Sequence, residues 1–432
     1  MGRAIAKFNW PAMVGLALTL GVSCGSEPPQ IDRPLAWDTA PFFNPPPEPD
    51  GAAQELMQRY LSNLRQRGFS PDHQGIFLQA DLTRLAVHEG TTLRSAASLT
   101  KIATTLAALE KWGLGYRFPT LIYGTGPIAE GRLQGDLIIE GSGSPFFVWE
   151  EAIALGNALN DLGIREVTGN LVIVGPFYMN YRTDPNVAGN LLRTAFDPSR
   201  WSGEVQSLHA ALPPDTAKPQ IAIRGSVVTS PPVPTATLLL RHQSLNLANI
   251  LKQMNIYSNN VMSEVLAQAA GGADAVAELA AVTAGVPTQE IQLINGSGLG
   301  VANRITPRAT VAMLIALERD LKTQSASIAD VFPVAGRDRA GTLRDRNFPD
   351  GTLLKTGTLN SVSTLAGVLP TRDRGWVWFA LINNNGDLLQ YRTQQDIFLQ
   401  TLAAEWGSVP LQSDIGGIPD EPLGDPLRIE RP

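Results

Sequence analysis

Three short motifs of hydroxyl, amide and ammonium side chains follow one another along the chain. They are Ser98-Leu-Thr-Lys101, Ser258-Asn259-Asn260 and Lys355-Thr356-Gly357. A serine hydroxyl becomes a nucleophile when an adjacent base removes its proton, and residues three apart on a helix share a face. Alone, Ser98 would fit an ordinary helix N-cap and Lys101 a solvated helix face. The order and placement of all three motifs favour Ser98 as a nucleophile and Lys101 as its base.

The elements around these motifs indicate how each is positioned. An apolar stripe over residues 98–112, stopped by Gly113, predicts a helix that carries the first motif at its start. The second motif lies in a turn within the helical patterns of residues 245–270, and the third begins a strand pattern. A serine at a helix N-terminus directs its backbone N–H and the helix dipole toward developing negative charge. The sequence therefore predicts an α/β body with a nucleophile at the start of a helix.

The predicted domain organisation follows from a change in the secondary-structure patterns along the sequence. Residues 75–89 have the pattern of a hairpin, and further helix and strand patterns cover residues 307–321, 365–369, 376–382 and 388–406. Residues 121–240 instead contain short strands and turns, with one predicted helix near 148–162. We therefore predict a catalytic domain over residues 51–120 and 241–406, interrupted by a β-rich insert at 121–240. The tail over residues 407–432, rich in proline, glycine and acidic residues, is expected to be irregular.

The N-terminal residues have the pattern of an export signal. Arg3 and Lys7 precede a mostly apolar run over residues 10–22, which is too short to span a bilayer comfortably. Residues 1–24 are therefore a predicted signal peptide. The eight prolines of residues 25–50 predict an extended linker between this signal and the folded body.

Cys24 is the only cysteine, and it ends the signal where a lipid-modified cysteine would stand. Ordinary cleavage after Ser23 is the alternative, so the sequence leaves a membrane tether through Cys24 open. With either outcome we expect an exported protein, periplasmic or attached to the cell envelope. A single cysteine permits no internal disulfide, so the fold must depend on its core.

Charge and composition argue against other kinds of site. The formal net charge of −6 and the lack of a basic stripe predict no nucleic-acid partner. The four histidines are scattered, without a spacing suited to metal ligands or to a Ser-His-Asp triad; they are His73, His88, His209 and His242. We therefore expect neither a metal nor another cofactor.

The segment around Ser98 resembles the active-site helix of a known family. The run over residues 94–109, followed by Tyr116-Arg117-Phe118, is similar to that of the D-alanyl-D-alanine carboxypeptidase/endopeptidase family, the class C low-molecular-mass penicillin-binding proteins of peptidase family S13. Further matching segments lie at residues 133–137, 295–299, 304–308, 341–343 and 355–358. The resemblance implies a serine β-lactamase/transpeptidase-like fold, in which an antiparallel sheet is flanked by helices and joined by a helical subdomain.

The resemblance also implies a role for each motif residue. Ser98 would be acylated, and Lys101 would be its neutral base. Ser258 would relay a proton to the leaving amine, and Asn260 would hold the substrate amide. A charged Lys355 would attract the terminal carboxylate of the substrate. The remaining substrate-binding residues would be Thr356, Gly357 and Thr358, with the backbone N–H groups of Ser98 and Thr358 forming the oxyanion hole. The implied partners are peptidoglycan stem peptides ending in D-Ala-D-Ala, and β-lactam antibiotics as covalent inhibitors.

Two other functions and one other register stay open from the sequence. A β-lactamase or esterase on the same fold would share the acylation residues, although we find no downstream Glu-x-x-x-Asn element for a deacylation base. A wall-binding protein with weak catalysis would keep the cleft. Tyr257-Ser258-Asn259 also fits the Tyr-x-Asn motif of related esterases and class C β-lactamases, but the flanking helices favour Ser258-Asn259-Asn260.

Overall fold

The computed structural model of the chain describes residues 50–232, 235–409 and 416–432. The predicted signal peptide with Cys24, and the proline-rich linker as far as Pro49, lie outside the described residues. The bounds of the helices are α1 Gly51–Gln66, α2 Thr100–Trp112, α3 Trp149–Asp161, α4 Pro185–Phe196, α5 Gly203–Ala211, α6 Leu247–Tyr257, α7 Asn260–Ala269, α8 Ala273–Ala284, α9 Pro307–Lys322 and α10 Leu388–Trp406.

The strands are short in the insert and long in the catalytic body. Their bounds are β1 Gln74–Ala80, β2 Thr83–His88, β3 Arg94–Ser95, β4 Pro119–Gly124, β5 Ile128–Ala129, β6 Arg132–Leu133, β7 Leu137–Gly141, β8 Glu166–Val167, β9 Leu171–Val174, β10 Ala222–Ile223, β11 Val227–Thr229, β12 Thr237–Gln243, β13 Ile291–Gln292, β14 Arg304–Ile305, β15 Leu353–Leu359, β16 Val362–Thr371, β17 Gly375–Asn384 and β18 Ile429–Glu430.

A five-stranded antiparallel sheet, in the order β15-β16-β17-β1-β2, forms the centre of the catalytic body. Successive side chains of a strand point to opposite faces, and both faces of this sheet are covered by helices. Ile76 and Leu78 enter a core with α1 and α10, whereas Phe77 between them enters a core with α2 and α6–α9. The predicted hairpin of residues 75–89 is confirmed as β1 and β2, with Asp81 in the turn at φ 47°.

Local capping explains where the helices near the site begin. Asn259 accepts a hydrogen bond from the Met262 backbone N–H at 3.0 Å and caps α7. Thr306 caps α9, whose first residue is Pro307, a position where proline loses no hydrogen bond. Helix α2 ends at Gly113, whose φ of 77° a residue with a side chain rarely adopts. These signals are all local in the sequence.

The insert begins with β4 and ends with β12, and it has a core of its own. One sheet has the order β11-β9-β7-β4-β12-β18 and contains parallel pairs, and a smaller sheet has the order β10-β8-β6-β5. The prediction of a single helix here was wrong. Helix α3 matches it, but α4 and α5 are additional, because parallel strand pairs need helical crossovers. Phe146 and Val148 of the insert also pack into the core of the catalytic body.

The described part of the tail, residues 416–432, has little regular structure but is held by specific contacts. Strand β18 pairs with β12 of the insert. Arg428 is buried and pairs with buried Glu151, which also lies 2.7 Å from His242 Nε2. Glu421 pairs with Arg117 of the catalytic body at 2.5 Å. Ion pairs therefore join this irregular segment to both the body and the insert, and the pair with the insert is buried.

The described residues contain neither a single membrane-length apolar helix nor a cluster of metal ligands. None of their helices is by itself long and apolar enough to cross a membrane, and only α7 and α8 together reach that length and composition, bent by 83°. Within the same residues, no group of three or more His, Cys, Asp and Glu side chains is placed to hold a metal ion.

Candidate active site

Ser98 lies on a tight turn between β3 and α2. Ala97 adopts a left-handed conformation at φ 47°, which is costly for a residue with a side chain, and it is fully buried. Residues Ala97–Leu99 form a 3-10 turn, and α2 begins at Thr100, two residues later than predicted. The turn continues into the helix, so Ser98 and Lys101 still share a face, and the Ser98 side chain is partly exposed in the cleft.

Lys101 is fully buried and surrounded by acceptors. Its Nζ lies 3.0 Å from Ser98 Oγ, 2.8 Å from Asn260 Oδ1 and 2.7 Å from the backbone carbonyl of Ser297. Burial lowers the pKa of Lys101 from 10.5 to about 7, against the opposing effect of the Glu264 carboxylate. A substantial fraction of Lys101 is therefore neutral near neutral pH.

The geometry around Lys101 gives a neutral amine one productive orientation. A neutral amine has two N–H donors and one lone pair. The Asn260 side-chain oxygen and the Ser297 carbonyl are acceptors only, so each takes one N–H. The lone pair is then left for the Ser98 hydroxyl, which donates to it. This is the arrangement that a lysine general base requires.

The second motif spans the break between α6 and α7. Ser258 ends α6 in a left-handed conformation, at φ 51° and ψ 41°, and its Oγ accepts a hydrogen bond from Lys355 Nζ at 2.9 Å. Asn259 is used as the cap of α7, and Asn260 opens that helix with its side chain on Lys101. The Tyr257 side chain is 55% exposed. The contacts therefore favour Ser258-Asn259-Asn260 over the Tyr-x-Asn register.

The third motif lies on β15, the edge strand of the central sheet. Lys355 is fully buried, and its Nζ donates to Ser258 Oγ and, at 2.8 Å, to the Thr356 carbonyl. Burial and repulsion from Lys101 hold the pKa of Lys355 well below its usual range. The sequence predicts a charged Lys355, and the lowered pKa makes this ammonium form less favourable than that of a free lysine. A carboxylate placed beside Lys355 would favour the ammonium form again.

The rest of β15 approaches the nucleophile closely. A Cβ added to Gly357 would lie 2.8 Å from the Ser98 backbone nitrogen and 2.2 Å from Thr364 Oγ1, so no larger residue fits without a shift. Thr356 donates to Thr342 Oγ1 at 2.8 Å, and the exposed Thr358 accepts a hydrogen bond from Arg392 at 2.9 Å. The chain therefore brings the Ser98 amide and the edge of β15 to one point, as an oxyanion hole needs.

Sequence reasoning missed two contributors to this site. Glu264 accepts hydrogen bonds from two consecutive backbone N–H groups, those of Gly296 and Ser297, and it is the carboxylate that acts on Lys101. Ser297 supplies the carbonyl that Lys101 binds. Glu264 follows Asn260 by four residues on α7, so the helical spacing could have indicated that both lie on one face of this helix. The role of a backbone carbonyl leaves no signal in the sequence.

Comparison with known proteins identifies the family. The sequence matches the D-Ala-D-Ala carboxypeptidase 3 (S13) family over residues 72–199 and 207–404, which is most of the chain. The chain therefore belongs to this family, and the resemblance stated from the motifs is confirmed.

Individual relatives match to different extents. The carboxypeptidase DacB of Mycolicibacterium smegmatis is 30% identical over 167 residues, which is 34% of this chain and 36% of that protein. The chain therefore spans about a third of the length of such relatives. The D-alanyl-D-alanine carboxypeptidase DacB of Haemophilus influenzae is 23% identical over 407 residues, covering 70% of this chain and 84% of that protein.

Solved structures show the fold. A predatory peptidoglycan endopeptidase from Bdellovibrio bacteriovorus superposes with a TM-score of 0.69 at 23% identity, covering 83% of this chain and 98% of that one. Penicillin-binding protein 4 from Haemophilus influenzae superposes with a TM-score of 0.59 at 19% identity, covering 81% and 99%. The fold expected from the motifs, an α/β body with an antiparallel sheet flanked by helices, is confirmed.

Proposed function

We propose that this chain is a serine-type D-Ala-D-Ala peptidase that acts on peptidoglycan stem peptides through an acyl-enzyme on Ser98, and that β-lactams acylate it. The observation that carries the proposal is the fully buried Lys101 amine, held by two fixed acceptors with Ser98 Oγ at 3.0 Å. Family membership supports the same reaction. A catalytically weak wall-binding protein would have no need of a buried base.

Acylation follows from the contacts of the site. Neutral Lys101 removes the hydroxyl proton of Ser98 as Oγ attacks the carbonyl carbon of the scissile amide. The Ser98 and Thr358 backbone N–H groups stabilise the oxyanion, an interaction that in other enzymes is worth about 3 kcal/mol per donor. The tetrahedral intermediate collapses with cleavage of the C–N bond, and Ser258 relays a proton to the leaving amine. Water then hydrolyses the ester and regenerates Ser98.

Lys355 holds the terminal carboxylate of the substrate in this scheme. Its buried amine has a lowered pKa, so ionisation of Lys355 would accompany binding of an anion beside it. Thr356 and Thr358 add hydroxyl groups on the same edge of β15, and Gly357 lets this strand lie close against the Ser98 turn. Asn260 binds the substrate amide while its oxygen orients Lys101.

The relatives support both parts of the proposal, the peptidase reaction and acylation by β-lactams. The related Bdellovibrio endopeptidase has been solved with penicillin G attached as an acyl group. We extend to this chain carboxypeptidase action, endopeptidase action or both. The N-terminal segment supports a further part of the proposal, that the protein is exported to the periplasm or cell envelope, with Cys24 as a lipid tether or Ser23 as the end of a cleaved signal.

The test is covalent labelling of the purified full chain with a fluorescent penicillin. We expect one label per chain, and none in Ser98→Ala, whose fold is checked by circular dichroism. Release of D-alanine from a pentapeptide should accompany labelling in the wild type only. Labelling of Ser98→Ala, or a labelled wild type that neither releases D-alanine nor cleaves crosslinked muropeptides, would contradict the proposal. Rapid turnover of nitrocefin would instead indicate a β-lactamase.

A further inference from the structure

The half-buried carboxylate of Glu264 lies at the back of the site and contacts neither Ser98 nor the substrate cleft directly in the scheme above. We propose that Glu264 is a positioning residue for acylation, because its carboxylate holds the loop that fixes the amine of Lys101. The inference rests on the proposed function and names a further residue on which that reaction depends.

The contacts of Glu264 are bidentate. Its Oε2 accepts from the Gly296 N–H at 3.1 Å, and its Oε1 accepts from the Ser297 N–H at 3.0 Å. Both amides belong to the loop between β13 and β14, residues 293–303. Two short hydrogen bonds from one carboxylate to consecutive amides fix the orientation of the peptide group between them. The orientation of this peptide group in turn sets the direction of the Ser297 carbonyl.

The same loop touches both halves of the proposed nucleophile–base pair. The Ser297 carbonyl accepts from Lys101 Nζ at 2.7 Å. Gly298 lies so close to the turn before Ser98 that an added Cβ would lie 1.8 Å from the Ala97 carbonyl oxygen. A shift of the loop by a few tenths of an ångström would therefore move Lys101, the strained Ala97 turn, or both.

Other contacts fix the loop from its opposite side. The Gly296 carbonyl accepts from Ser263 Oγ at 2.6 Å and from Thr104 Oγ1 at 2.7 Å. These hydroxyls come from α7 and α2, the helices that carry Asn260 and Lys101. Glu264 supplies the only charged contact in this set. The neutral contacts would survive its removal, so its variants should fold.

Charge gives Glu264 a second effect on Lys101. Two charged groups face the Lys101 amine: Glu264 from α7 and Lys355 from β15. The negative charge of Glu264 favours the ammonium form of Lys101, whereas burial favours its neutral amine.

Two substitutions separate the effect of the Glu264 charge from the effect of its side-chain length. Glu264→Gln keeps one acceptor of similar length and removes the charge. Glu264→Asp keeps the charge and shortens the side chain by one methylene, so the bidentate contact is lost. Glu278→Gln is the matched control, because Glu278 is exposed on α8 and has no effect on Lys101.

The measurement is the second-order rate of acylation by fluorescent penicillin against pH, for the full chain and each variant. For Glu264→Gln we expect the midpoint of the acid limb to move down by about one pH unit, because an attractive charge is lost. For Glu264→Asp we expect an unchanged midpoint and a maximal rate about tenfold lower, because the base is misplaced. Glu278→Gln should match the wild type in both quantities.

An unchanged midpoint in Glu264→Gln, or a full maximal rate in Glu264→Asp, would overturn the inference. A direct titration of Lys101 by NMR of chains labelled at the lysine side chain does not require turnover, and it should show the same shift in Glu264→Gln. If the wild type fails to acylate but the NMR shift is present, the proposed function fails and the contact from Glu264 to the base stands. If the wild type acylates and neither shift occurs, only the inference fails.

Discussion

Replacing Lys101 by methionine should make the protein more stable while abolishing acylation. The unbranched methionine side chain fills a similar volume but cannot be charged. Burial lowers the pKa of Lys101 from 10.5 to about 7. At about 1.4 kcal/mol per pKa unit, holding this side chain in the folded state costs about 5 kcal/mol below neutral pH.

The sign of the pH dependence follows from the direction of this shift. Between the folded pKa of about 7 and the unfolded pKa of 10.5, the unfolded chain binds a proton on Lys101 that the folded chain does not. The free energy of unfolding of the wild type therefore rises with pH across this window, by about 1.4 kcal/mol per pH unit. This contribution is complete above the window and lost as the pH falls through it. Lys101→Met removes it.

The loss of two hydrogen bonds reduces the increase in the free energy of unfolding expected for Lys101→Met. Lys101→Met leaves the Asn260 side-chain oxygen and the Ser297 carbonyl without their donor, at a cost of about 3 kcal/mol for the two together. The expected net increase in the free energy of unfolding near pH 7 is then about 2 kcal/mol, or a few degrees in the midpoint of thermal unfolding. Near the top of the pH window the variant should be the less stable protein, because the cost of burial has disappeared there.

Urea unfolding at several pH values, with penicillin labelling at each, tests this reasoning. Lys355 contributes a slope of its own, so the measured quantity is the difference between the variant and the wild type. Lys111→Met is the matched control, since Lys111 is exposed in the last turn of the same helix. A difference between Lys101→Met and the wild type that does not change with pH would refute the assignment of a neutral buried lysine.

Further predictions concern the carboxylate site, the oxyanion hole and the tail. Lys355→Met should slow acylation by penicillin about 100-fold, but should slow acylation by a thioester lacking a carboxylate much less; equal losses would exclude the proposed role. Gly357→Ala should lower the acylation rate about 100-fold, because its Cβ would lie 2.8 Å from the Ser98 nitrogen; a normal rate would contradict the oxyanion hole. Arg428→Ala should lower the free energy of unfolding by about 3 kcal/mol, since it leaves the buried Glu151 carboxylate poorly paired; unchanged thermal unfolding would show that the tail is dispensable.

The sequence by itself determined the motifs, the family and most of the local structure of the catalytic body. The hairpin at residues 75–89 and the final helix at 388–406 follow from side-chain periodicity alone, and the structure places β1, β2 and α10 there. The turn at Ser258 was predicted because two helical patterns meet at it. Such features depend on neighbours within a few residues, so the sequence carries them directly.

Tertiary structure decided the chemistry of the lysines. The Lys101 amine is bonded to Asn260, which is 159 residues away, and to Ser297, which is 196 residues away. Its lowered pKa comes from burial by these distant segments, and the sequence predicted a neutral Lys101 only through the family resemblance. The same reason explains why Glu264 was missed.

In the insert and the tail, too, the sequence indicates the local structure but not the pairing of distant segments. Parallel pairing of β7 with β9 requires a crossover, and the sequence predicted the helix α3 that forms it. The strand pairing that places α4 against the sheet joins distant segments, so the sequence did not indicate it. The tail has a composition typical of an irregular segment, and its sequence does not show that Arg428 meets Glu151, 277 residues earlier. Local propensities specify helices, turns and caps, whereas burial, pKa values and ion pairs depend on which distant segments come together.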